Sequence, residues 1–105
     1  MDLTLEKLEK IYENNLSAKG DTSSRGSNKD EVLSCLYFRI SRIIENHGFI
    51  SFELLIDTCD TIFKSFELKI DYDKNKYPDS TLNQFRYIVD TLNSMKQIKI
   101  KSILY

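Results

Sequence analysis

Few residues in this sequence have side chains able to do chemistry. His47 is the single histidine. It sits at the end of a helical stripe just before Gly48, where a positive charge suits the helix dipole, so a structural role outweighs a catalytic one. Cys35 and Cys59 fall far apart within apolar stripes and read as small core side chains. Zinc sites need several convergent ligands at short, recurrent spacings, and no His/Cys pattern supplies them. Asp57 and Asp60 share a helix face, but carboxylates three apart are common on solvated surfaces, and no neighbour activates either. The stretch Asp71-Tyr-Asp-Lys-Asn-Lys76 groups carboxylates with an asparagine, yet lacks the glycine and terminal glutamate of a calcium loop. The sequence therefore predicts no enzyme, no cofactor, no metal and no small-molecule substrate.

Two other sets of residues point to binding. Asn83, with Gln84, Arg86 and Tyr87 on the outward face, belongs to the helix expected after Ser80, and Lys96, Lys99 and Lys101 follow. Such side chains hydrogen-bond base edges and phosphates in DNA readers. Asp90 shares that face and would repel phosphate, so a solvated or protein-facing surface is favoured over nucleic acid. The second set is apolar. Leu5, Leu8 and Tyr12 form the stripe of a short amino-terminal helix, and Ile98, Ile100, Ile103 and Tyr105 belong to an alternating terminal segment that reads as a strand. A terminal strand with one neighbour leaves a row of backbone donors and acceptors open to a partner. Its lysines guard the same edge against aggregation.

These residues belong to a chain of 105, enough for one domain with a modest core. Fifteen basic residues oppose sixteen acidic ones. That balance discourages binding carried mainly by phosphate neutralisation. Seven acids and five bases precede Val32, whereas ten bases and nine acids follow from there on. No apolar run is long enough to cross a membrane, and the acidic, amphipathic start does not read as a signal peptide. Two isolated cysteines exclude a disulfide scaffold and favour a reducing, cytoplasmic location.

Periodicity divides the chain into an amphipathic helix over 1–16, a linker over 17–29 without large apolar side chains, and a domain over 30–105. A helix this short is marginal alone and must dock on its own domain, a second copy or another protein. Within the domain, Leu33, Leu36, Ile40, Ile43 and Ile44 define one helix, widened by Tyr37 and Phe38 and stopped by Gly48. Phe49-Ile50-Ser51 reads as a very short strand, and Ser51 as the cap of the next helix. That helix buries Phe52, Leu55, Ile56, Cys59, Ile62, Phe63 and Phe66. Its end is ambiguous: a helix running to about Lys69 is favoured over an alternating strand from Phe66 to Tyr72. A loop containing Pro78 follows. The last helix, capped by Ser80 or Thr81, buries Leu82, Phe85, Ile88, Val89, Leu92 and Met95. Gln97–Tyr105 then forms the terminal strand.

Helix, short strand, helix, loop, helix, strand is the order of the winged helix-turn-helix superfamily, which residues 30–105 resemble. The likeness rests on Ile44-Glu-Asn-His-Gly-Phe-Ile-Ser-Phe-Glu-Leu-Leu55 and on Leu82-Asn-Gln-Phe-Arg-Tyr-Ile-Val-Asp-Thr-Leu-Asn-Ser-Met-Lys-Gln-Ile-Lys-Ile100. It implies a mainly α fold with a small β element (α+β), a winged-helix-like domain behind a tethered helix. The sequence departs from that pattern in the long Lys64–Ser80 connection, in the lack of glycine before the last strand, and in a wing with no returning strand. The second segment also looks like the small middle components of bacterial three-component ATPase systems and like winged-helix subunits of chromosome-organising ATPases, which are non-enzymatic adaptors. The favoured function is a non-enzymatic interaction subunit of a larger cytoplasmic assembly, with one or more protein partners, a second copy among them. Two alternatives stand behind it: a dimeric DNA-binding regulator or antitoxin, and a small viral or mobile-element inhibitor that binds protein.

Overall fold

The computed structural model describes residues 2–16, 29–68 and 80–95. Four helices account for most of them: α1 over Leu5–Asn14, α2 over Lys29–His47, α3 over Phe52–Ser65 and α4 over Thr81–Ser94. Three begin on a hydroxyl that accepts from a first-turn amide, thereby satisfying a donor the helix itself leaves open. Thr4 accepts from the Lys7 N–H at 3.2 Å, Ser51 from Leu54 at 3.2 Å and Ser80 from Asn83 at 3.2 Å.

Each helix turns one stripe into a common core. Val32, Leu33, Leu36, Ile40 and Ile44 of α2 meet Leu55, Cys59, Ile62 and Phe63 of α3 and Leu82, Phe85, Ile88, Val89 and Leu92 of α4. Leu3 and Leu8 complete it from the amino-terminal segment, both almost wholly excluded from solvent. α2 is the central element, packing against all three others, and α4 also rests on α3. Two long-range hydrogen bonds align α1 with α4. At the leading ends the Leu3 N–H donates to Thr81 Oγ1 in a buried bond of 3.1 Å, and at the trailing ends Asn93 Nδ2 donates to Asn15 Oδ1. The two helices therefore run side by side in the same direction.

The expected α+β, winged-helix-like architecture is overturned. The described residues are 80% helical and contain no strand, which makes the fold a small all-α bundle. Phe49-Ile50-Ser51 is the connection between α2 and α3. Gly48 adopts φ +85°, the left-handed region that glycine enters without steric cost, and Ser51 already serves as the cap of α3. No strand lies beside these residues among those described. Ile50 instead drops into the core, leaving Phe49 outside.

The favoured extension of α3 to Lys69 is also corrected, since the helix ends at Ser65. Glu67 takes φ +56°, its N–H donates to the Lys64 carbonyl at 3.1 Å, and the Leu68 N–H reaches back to Phe63 at 2.8 Å. That paired return is a Schellman closure, here built on a glutamate. Leu68 then packs on the core, so Phe66–Leu68 form a turn and not the start of a strand. Residues 17–28 of the expected linker, the Pro78 loop, and the terminal segment with Lys96, Ile98, Lys99, Ile100, Lys101, Ile103 and Tyr105 lie outside the described residues.

Candidate protein-interaction surface

The outward side of α2 carries the most exposed large apolar side chain described, Phe38, at 62%. It was expected in the buried face beside Tyr37, and helical geometry explains the correction. At about 100° per residue, a position two steps from both Leu36 and Ile40 lies about 160° round from each. Leu36 and Ile40 are buried, so Phe38 faces out.

Phe38 is held by aromatic neighbours. Tyr12 of α1 stacks on Tyr37 of α2 with ring centroids 4.5 Å apart and planes 14° apart. The edge of that stack meets Phe38 at 5.8 Å and 60°. Tyr12 and Tyr37 are each half-buried, so the three rings run from the α1–α2 junction out to solvent. Such offset and edge contacts hold rings in place at little conformational cost.

Arg39 and Arg42 stand exposed beside the rings. They border two shallow grooves: one with Cys35, Phe38 and Glu45 along α2, the other between α2 and α3 with Ile43, Leu54, Asp57 and Thr61. Burial is the main cause that raises the Cys35 thiol above its ordinary pKa; the nearby Glu31 carboxylate adds to this and Arg39 partly offsets it. Cys59 is far more deeply buried, and desolvation, with a lesser push from Asp60, drives its thiol strongly upward. Neither thiol is activated as a nucleophile. Among the described residues no group of three His, Cys, Asp or Glu side chains is placed to hold a metal ion.

The residues singled out in the sequence distribute unevenly. Leu8 is fully buried in the chain's own core, Tyr12 packs on Tyr37, and Leu5 is 37% exposed. On α4, Arg86 is exposed, Asn83 and Tyr87 are half-buried, and Gln84, expected on the outward face, has no exposed surface. Arg86 lines a cleft with Asp90 and with Ile11 and Asn14 of α1, so α1 occupies part of the space in front of the presumed reading face. Among the described residues no helix is long and apolar enough to cross a membrane. Comparison with family models, curated proteins and solved structures gives no match.

Proposed function

We propose that the chain is a non-enzymatic interaction subunit of a larger cytoplasmic protein assembly, binding through the Tyr12–Tyr37–Phe38 strip and the two arginines beside it. The observation that supports this reading is Phe38, largely exposed in the middle of a nineteen-residue helix whose other large apolar side chains are mostly turned inward. Burying one such ring against a partner is worth roughly 1.5–3 kcal/mol. Aromatic and arginine side chains are the types that concentrate binding energy at interface centres. Two free thiols, neither in a disulfide, are compatible with a reducing compartment. A DNA-binding regulator draws less support, because Gln84 is buried and Arg86 shares its surroundings with Asp90.

A photo-crosslinking amino acid at position 38, in cells of the native source, tests the reading. Specific protein adducts are expected from position 38 and not from position 10 on the solvent side of α1. Phe38→Glu should abolish partner capture without altering the helical circular dichroism. Equal adducts at both positions, or undiminished capture by the Phe38→Glu variant, would overturn the proposal.

A further inference from the structure

Five residues of α2 share one outward seam. Glu31, Cys35, Phe38, Arg42 and Glu45 follow one another by steps of four, three, four and three, the spacing that keeps side chains in line along a helix. All are exposed except Cys35, which is half-buried. Cys35, Phe38, Arg42 and Glu45 line a single groove, and the Glu31 carboxylate is close enough to act on the Cys35 thiol. The seam is acidic at its start, apolar in the middle, then basic, then acidic again.

We infer that this seam is the contact between two copies of the chain, with the α2 helices antiparallel about a two-fold axis midway between Leu36 and Tyr37. The inference rests on the reading that the Phe38 face binds protein, and it names the partner. In a two-fold contact each residue meets its counterpart's partner in return, so a self-complementary pattern is needed. This register supplies one. Glu31 faces Arg42 of the other copy, Cys35 faces Phe38, and both pairings occur twice. Glu45 falls past the first turn of the opposing helix and enters neither pairing. The arrangement joins Glu31 to Arg42 on both sides of a small apolar centre. Moving the register until Phe38 faces Phe38 sets Glu31 against Glu45 at both ends, like charge on like. Charge pairing at the edge of an interface selects register and partner more than it adds affinity. A mixed-sign seam of this kind suits a second copy better than a uniformly acidic peptide, which Glu31 and Glu45 would repel.

Sedimentation of the full chain with charge reversals tests the pairing. The wild type is expected to dimerise with rising concentration. Glu31→Arg alone and Arg42→Glu alone should each weaken the dimer about tenfold or more, as facing like charges do. The double variant Glu31→Arg/Arg42→Glu should return to within about threefold of wild type, because the pair couples. Phe38→Glu should be monomeric with unchanged circular dichroism. A wild type that stays monomeric at its highest soluble concentration would overturn the inference. So would a double variant no better than its parents. If position 38 still crosslinks to other proteins in cells, the interaction reading survives that failure. If it crosslinks to nothing, both fall.

Discussion

Both polar atoms of the Gln84 side chain are buried without a hydrogen-bond partner among the described residues. Removing an amide from water without replacing its bonds costs about 1–3 kcal/mol. Gln84→Met keeps much of the shape and removes the orphaned donors and acceptor, so it should stabilise the fold by about 1–3 kcal/mol. Chemical denaturation should show a higher midpoint with an unchanged slope. Residue type alone points Gln84 outward. Three residues before it on the same helix, Thr81 accepts the Leu3 N–H, so the stripe that looks polar in sequence faces α1. That contact joins residues 78 apart, beyond the reach of any local pattern. Phe38 is the opposite case. Its outward direction was already encoded by its angular distance from Leu36 and Ile40, and was hidden only by grouping it with its neighbour Tyr37.

At the level of elements, caps were the most legible feature. Ser51 and Ser80 announced α3 and α4, and Gly48 announced the end of α2, because each has a local bonding or steric cause. The end of α3 carried no such signal. Phe66 and Leu68 suit a continuing helix or an alternating strand equally, and glutamate is not a residue from which a left-handed stop is read. A left-handed conformation costs a residue with a Cβ about 1–2 kcal/mol. Glu67→Gly removes that strain and raises the entropy of the unfolded chain, leaving a net stabilisation of about 0.5–1 kcal/mol. The gain should appear as a melting temperature higher by a few degrees. A loss of stability would show that contacts of the Glu67 side chain outweigh the backbone strain.

For the molecule as a whole, the helical segments and most of the core were recoverable from periodicity, while the architecture was not. Element order suggested a wing, yet the short segment after Gly48 has no strand beside it among the described residues and serves as a connector. Sequence alone allows α1 to dock on its own domain, a second copy or another protein. In the structure Leu3 and Leu8 enter the same core as α2 and α4. Leu8→Ala should therefore cost about 2–5 kcal/mol, measured by denaturant unfolding at low concentration, where a helix held only by a partner would show almost no change. The Leu3–Thr81 bond has a kinetic consequence as well. Because it joins residues 78 apart, its entropy of closure must be met before the contact gives anything back. The bond between α1 and α4 then forms on the late side of the folding barrier, and α1 loosens from α4 in the early steps of opening. Native-state hydrogen exchange should place the α1 amides in a separate group that opens below the free energy of global unfolding, ahead of the α2–α3–α4 core.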